Sequence, residues 1–227
     1  MRQTKIVIPV LPRTIDEIKN LDLDLYQDAD IIEWRADFLP LGQILEAAAV
    51  FFERFKAFKI LFTVRTAKEG GALELSNASY VSLLKGIMFF KPDYVDIEYF
   101  SYPEAIKAMD KYRAQIVLSY HNFKKMPEDL TGRLIQMDKE NTAFVKAAVM
   151  PQRECDVIDL LQITRDMTLE YGPHFVTMGM GDLGMISRIS GSITGSCWTF
   201  SYVGEASAPG QIVISDMVRF LDLFEEK

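Results

Sequence analysis

Cysteine is scarce in this chain: two residues in 227, Cys155 and Cys197, with no CxxC spacing. That count excludes a disulfide framework, and with only two histidines it argues against a zinc site. No stretch is apolar for eighteen residues, so no membrane-spanning segment is expected. Positive charge is also short, with 25 Lys and Arg against 32 Asp and Glu and a formal net charge of −7. Nucleic acid and anionic membranes are bound through excess basic residues, so neither is an expected partner. An anionic small molecule would need local arginines to offset the global field. The opening "MRQTKIVIPVLPRT" lacks the longer apolar core and small-residue cleavage site of a signal peptide. No Pro/Gly/Ser linker or charge run divides the chain. The expectation is a reduced, cytoplasmic, soluble protein forming one domain over residues 1–227.

What is present is alternation. Eight short runs rich in β-branched and aromatic residues read as strands: "KIVIPV" (5–10), "DIIEWR" (30–35), "KILFTVR" (59–65), "DYVDIEY" (93–99), "QIVLSYH" (115–121), "TAFVKAAV" (142–149), "HFVTMGM" (174–180) and "GSCWTF" (195–200). Most are separated by stretches of helical spacing, among them "LGQILEAAAVFFERFKAF" and "SYVSLLKGIMFF". Thr14 with Glu17 three positions on forms a capping box, and Pro127 is placed in a helix first turn. Near-continuous apolar strands between helices imply a parallel sheet covered on both faces. Eight βα units at this length favour a closed (β/α)8 barrel, an α/β fold, although the seventh helix must be short, within "DLGMISRIS", and such barrels usually run to ~250 residues.

In a barrel the chemistry lies at the carboxyl ends of the strands. There the polar residues fall. Strand two carries Glu33 and Arg35 on one face, strand three ends in Arg65, and strand four brings Asp96 and Glu98. Strand five brings Ser119 and His121, and strand six holds Lys146 among Phe144, Val145, Ala147 and Ala148. A single strand-end Arg or His is more often structural than catalytic. A mid-strand lysine among apolar residues has fewer harmless explanations, snorkelling at a strand end being one. A desolvated amine near other cations keeps a neutral fraction near pH 7, and a neutral amine converts ketones and aldehydes into imines. The iminium acidifies the adjacent carbon. His121 is the histidine placed to move that proton, since His174 begins its strand. The pattern points to imine catalysis on a carbonyl compound, with arginines holding an anionic group and no metal.

The segments "EWRAD" (33–37), "TVRTAKEGG" (63–71), "DIE" (96–98), "SYHNF" (119–123), "FVKAAVMPQ" (144–152), "GMISRISG" (184–191) and "GSCWTFSYVGEASAPGQI" (195–212), in this order, resemble type I 3-dehydroquinate dehydratase almost end to end. The resemblance implies a barrel hydro-lyase of the shikimate pathway that converts 3-dehydroquinate to 3-dehydroshikimate by syn elimination, without metal or organic cofactor. It implies that Lys146 forms the imine with the C3 ketone. His121 would take the C2 proton and protonate the departing C1 hydroxyl. Glu33 would touch substrate and help orient His121, Arg35 and Arg65 would line the polar side, and Arg188 would pair with the carboxylate. Ser207 and Gln211 would belong to a late loop closing over the substrate, between Gly204 and Gly210. Met178, Met180 and Phe200 would pack beside it. A serine contact from strand one is not implied, because Pro9 stands there. Family members are often homodimers.

Two other readings share part of this pattern. A class I aldolase would use the same imine to make or break a carbon–carbon bond, with "GMGDLG" as a phosphate loop, but "ISR" and "SAPGQ" favour a carboxylate. A non-catalytic binding protein on the same scaffold would keep the arginines and lose Lys146 or His121, and both are present.

Overall fold

The computed structural model describes residues 3–225. Nine parallel strands form its sheet: β1 (Lys5–Val10), β2 (Ile31–Arg35), β3 (Lys59–Thr63), β4 (Tyr94–Glu98), β5 (Ile116–Asn122), β6 (Phe144–Val149), β7 (Phe175–Gly179), β8 (Trp198–Tyr202) and the two-residue β9 (Ile212–Val213). The helices are α1 (Ile15–Asn20), α2 (Ile44–Arg54), α3 (Asn77–Ile87), α4 (Pro103–Ala108), α5 (Leu130–Asp138), α6 (Glu154–Tyr171), α7 (Gly181–Gly184), α8 (Gly191–Thr194) and α9 (Ile214–Glu225). Each of the eight expected strands is found where the pattern puts it, within three residues at its ends.

The hydrogen-bonded order β7-β6-β5-β4-β3-β2-β1-β8-β9 follows the chain around a curled (β/α)8 barrel. Between β7 and β8 there is no ladder. That joint is made by the Cys197 N–H donating to the Phe175 carbonyl at 2.9 Å, and by Ser196, whose hydroxyl accepts from the Thr177 N–H at 3.1 Å. β9 pairs with the upper end of β8 through Ser201↔Ile212 and Tyr202↔Val213.

The two-residue period of the strands sorts the apolar residues into two cores. Ile8, Ile32, Trp34, Phe62, Ile97, Leu118, Val145 and Ala147 point outward and meet the helices. Val7, Ile31, Leu61, Val117, Val176 and Trp198 point inward and fill the barrel floor. α2 shows why the helices dock: Ile44, Ala47, Ala48 and Phe51, spaced three and four apart, are all fully buried. Phe51 stacks on Trp34 at 4.7 Å. Burying such a side chain stabilises by about 1.5–3 kcal/mol.

Two local expectations need correction. Thr14 caps α1 by accepting from the Glu17 N–H, but the Glu17 carboxylate reaches back to the Arg13 N–H instead of that of Thr14. Pro127 lies ahead of α5, which begins at Leu130 behind Asp129, so it is not in the first turn. The short α4 between β4 and β5, and β9, carried too little periodicity to be read. Pro9 is tolerated in a central strand because the β1–β8 register ends at Val7↔Phe200, so its missing N–H breaks no bond of that ladder.

Candidate active site

Above the apolar floor the inward positions turn polar, and almost all of them are buried. Glu33, Thr63, Asp96, Glu98, Ser119 and Lys146 are each less than 6% exposed. Lys146 lies 3.3 Å from Glu33 Oε1 and 3.3 Å from Asp96 Oδ2, and its Nζ sits 4.4 Å from the centre of the Phe200 ring. The lysine does not snorkel. The cationic neighbours expected from sequence are not the atoms that face it: two carboxylates and an aromatic ring do.

Each carboxylate has a second partner. Thr63 Oγ1 donates to Glu33 Oε1 at 2.9 Å. Asp96 Oδ1 accepts from Arg65 Nη2 at 2.8 Å and from the Ser119 hydroxyl at 2.6 Å. Burial alone would raise the Asp96 carboxyl, but Arg65 and Lys146 outweigh it and hold it below the usual carboxylate range. Arg65 also reaches Glu98 Oε1 at 3.0 Å, and Glu98 in turn accepts from the N–H and hydroxyl of Thr66 at 2.7 and 2.6 Å. Burial works against the Arg65 charge, yet Asp96, Glu98 and Glu69 together raise its pKa. Arg35 is likewise occupied, in a two-point fork on Asp37 with both bonds at 2.8 Å. Arg35 and Arg65 line the cavity as expected, but with their charges already matched.

His121 closes the next tier. Its Nδ1 lies 2.9 Å from Glu69 Oε2, and the same oxygen accepts from the His121 backbone N–H at 3.0 Å. This is a correction: Glu69, not Glu33, orients the imidazole. Burial, then the charges of Arg65, Lys146 and Arg35, drive the His121 pKa well below the ordinary value, so the ring is neutral. Burial pushes the Glu69 carboxyl up to about 8, with Arg65 opposing. Glu69 ends a 3₁₀ turn, Ala67–Glu69, and the two glycines after it let the chain fold back over Arg65. Gly70 has φ +84°, and a Cβ on Gly71 would collide with the Arg65 carbonyl. Within the motif at 63–71 nothing in the sequence pattern distinguishes Glu69 from an ordinary loop carboxylate.

The far wall is different. Arg188, on the 3₁₀ turn Met185–Ile189 after α7, is 2% exposed. Its Nη1 donates to the Phe200 carbonyl at 3.3 Å and its Nη2 to the Pro209 carbonyl at 3.2 Å, while its Nε has no partner. Among the described residues it meets no carboxylate, and burial lowers its pKa to about 10. Gln211 Oε1 accepts from the backbone N–H groups of Ser207 and Ala208 at 2.7 and 3.2 Å, folding the 204–211 loop over the opening. One cavity is lined by Glu33, Arg35, Arg65, His121, Lys146, Met178, Met180, Arg188, Phe200, Ser207 and Gln211, so the fold brings every sequence-chosen site residue to a single place. His174 lies elsewhere, bonded to Asp138 at 2.6 Å.

The chain matches the family model for type I 3-dehydroquinase over residues 6–227. It is 57% identical to the 3-dehydroquinate dehydratase of Lactococcus lactis subsp. cremoris over 227 residues, 100% of this chain and 99% of that protein. It is 46% identical to that of Streptococcus equi subsp. zooepidemicus over 98% of this chain and 99% of that protein. Among solved structures it resembles the type I 3-dehydroquinate dehydratase of Clostridium difficile, recorded with covalently modified comenic acid, with a TM-score of 0.88 and 33% identity over 98% of this chain and 92% of that one. The Enterococcus faecalis enzyme superposes with a TM-score of 0.87 at 33% identity, over 100% and 96% of the two chains. A barrel with a buried lysine, a carboxylate-held histidine and this run of motifs thus has its relatives along its whole length, and the chain belongs to the type I 3-dehydroquinase family.

Proposed function

We propose that this enzyme removes water from 3-dehydroquinate to give 3-dehydroshikimate, with Lys146 as the imine-forming nucleophile and His121 as the proton carrier. The observation that carries the reading is the burial of the Lys146 amine in a polar tier lining the same cavity as a neutral imidazole, close enough for its charge to lower that ring's pKa. The amine adds to the C3 ketone and water leaves, giving an iminium whose pull acidifies C2. His121 Nε2 takes the C2 proton while Glu69 receives the Nδ1–H bond and stabilises the imidazolium that forms. The same proton then goes to the C1 hydroxyl as the C1–O bond breaks, on the same face. Water hydrolyses the product imine and frees Lys146.

Arg188 pairs with the substrate carboxylate, supplying an anion to a buried cation that lacks one. Ser207 and Gln211 cover the bound ring, Glu33 touches its polar side, and Arg35 and Arg65 hold the carboxylates around it. The covalently modified comenic acid of the Clostridium difficile relative supports covalent chemistry in this fold. No cofactor or metal has a role in this scheme. The setting is cytoplasmic, and the chain acts as a homodimer. The exposed apolar residues Ile186, Ile193, Phe220 and Phe224 on the neighbouring α7–α8 and α9 side offer a surface for a second copy.

Incubation with 3-dehydroquinate should produce the ultraviolet absorbance of a conjugated enone. Borohydride added during turnover should add the mass of the reduced substrate to Lys146, and Lys146→Ala should lose both signals while keeping the fold. Robust turnover by Lys146→Ala would overturn the scheme.

A further inference from the structure

Glu69 holds the His121 ring, and its own carboxylate is held from a third place in the chain. Oε2 accepts from the His121 backbone N–H at 3.0 Å and faces Nδ1 at 2.9 Å. Oε1 accepts from the Ser101 hydroxyl at 2.8 Å. Ser101 lies in the turn between β4 and α4, 32 positions further along the chain.

That turn is a firm support. The Tyr102 N–H donates to the Glu98 carbonyl at 2.9 Å and the Tyr99 N–H to the Ser119 carbonyl at 3.0 Å, which tie the turn to β4 and β5. The Tyr102 ring is buried, stacks on Tyr80 at 4.0 Å, and its hydroxyl donates to the Leu75 carbonyl at 2.9 Å. Ser101 also reaches the residue before Glu69, its carbonyl accepting from Lys68 Nζ at 3.2 Å. One serine thus grips two successive residues of the Ala67–Glu69 turn.

A carboxylate accepts hydrogen bonds and donates none, and a bond to an ionised oxygen is stronger than one to the neutral acid. The Ser101 hydroxyl therefore favours ionised Glu69 and fixes its rotation, with Oε2 on His121. The charges around Glu69 are divided. Arg65, at 3.9 Å, favours the ionised form, whereas burial and the carboxylates of Glu98 and Asp96 oppose it. His121 is neutral, and Lys68 turns its ammonium to the Ser101 carbonyl and the Tyr102 ring. Burial is the largest influence and leaves the carboxyl at about 8, close enough to neutrality for one hydrogen bond to matter.

We propose that Ser101 is a positioning residue for the reaction, holding the Glu69 carboxylate turned toward His121 so that the ring keeps its proton on Nδ1 and its Nε2 bare. The proposal rests on the reading of His121 as the proton carrier. Ser101 touches neither substrate nor imidazole: it acts on Glu69, and Glu69 acts on His121. A protonated Glu69 donates to Nδ1 and sends the ring proton to Nε2, where it blocks the base.

The test is the pH profile of kcat/KM for Ser101→Ala and Ser101→Thr, read beside the imidazole nitrogen chemical shifts of His121, which report the tautomer without turnover. Losing a charge-assisted bond from the ionised form should raise the Glu69 titration by about one pH unit. The rising limb near pH 8 should move up by that amount in Ser101→Ala. Its kcat/KM should fall about tenfold at neutral pH and approach the wild-type value above the limb. Ser101→Thr keeps the hydroxyl and should restore the wild-type midpoint. The nitrogen shifts of Ser101→Ala should show the Nε2–H tautomer persisting to the same higher pH. Activity lowered by one factor at every pH, with the midpoint and the tautomer titration unmoved, would make Ser101 a purely structural support and overturn the proposal. Should Ser101→Ala fail to fold by circular dichroism, Ser101→Cys decides: its weaker donor should raise the midpoint, and an unmoved midpoint overturns the proposal. A His121 tautomer that follows pH and Ser101 in an enzyme with no dehydratase turnover would sink the assigned reaction and still support the hold of Ser101 on His121 through Glu69.

Discussion

Two buried arginines stand on opposite walls of the same cavity. Arg65 is surrounded by Asp96, Glu98 and, at 3.9 Å, Glu69, and its charge is raised in strength by them. Arg188 is equally buried but, among the described residues, donates only to two backbone carbonyls and a methionine sulfur, and burial pulls its pKa down to about 10. The same side chain therefore does two jobs. Arg65 is part of a finished network that sets the geometry around Lys146, and Arg188 is a buried cation with no counter-charge among the described residues, the gap that the proposed substrate carboxylate would fill.

The comparison can be broken from either side. Replacing Arg65 by Met should have the largest effect, because it strands two buried carboxylates; breaking such a pair costs about 3–5 kcal/mol, readable as a fall in denaturation midpoint, with activity lost as well. Arg188→Met should instead leave stability unchanged or higher, since no carboxylate loses a partner. Its cost should appear as a loss of about 10²–10³ in kcat/KM, the scale of a truncated charged contact. A substrate-like carboxylate at 100 times its Kd should raise the unfolding free energy of the wild type by about 2.7 kcal/mol and that of Arg188→Met far less. Equal destabilisation by the two replacements would erase the distinction.

Glu69 gives a subtler test on the Arg65 wall. With its carboxyl raised to about 8, protonated Glu69 donates to Nδ1 and leaves the His121 proton on Nε2, where the ring cannot act as a base. The kcat/KM of the wild type should therefore climb as pH rises through about 8, and Glu69→Gln should lose that limb. Stability runs the other way. A carboxyl whose folded pKa is raised from 4.5 contributes stability fully below about 4.5 and loses it as pH rises to about 8, so the Tm of Glu69→Gln should gain on that of wild type from about pH 4.5 to about 8 and hold that gain above it. The smallest effect belongs to the β7–β8 joint, where Ser196→Ala should cost about 1 kcal/mol of stability with little change in kcat.

The parts of the site that sequence reading reached are those on strands. A period of two sets Glu33 with Arg35, Asp96 with Glu98, and Ser119 with His121 on one face, and the barrel rule says which end matters. Lys146 was visible because an ammonium is conspicuous among alanines and valines. Charge pairing was not visible, because which carboxylate meets Arg65 depends on neighbouring strands whose register no local pattern encodes. Glu69 sits on a single turn with no period at all, and its bond to His121 spans 52 positions, so only the folded chain reveals it. β9 and α7 escaped notice or definition for a simpler reason: two or four residues are too few to display a period.

The joint between β7 and β8 has a mechanical consequence. A ring of parallel ladders that is fastened at one place only by the few bonds of Ser196 and Cys197 to Phe175 and Thr177 is expected to open most readily there. Arg188 and the 204–211 span hang on that side, with Pro209 tied to both Arg188 and Gly181, whereas Lys146 and its carboxylates are borne by unbroken ladders from β2 to β6. Traffic in and out of the cavity can thus flex one flank while the Lys146 amine stays where it is.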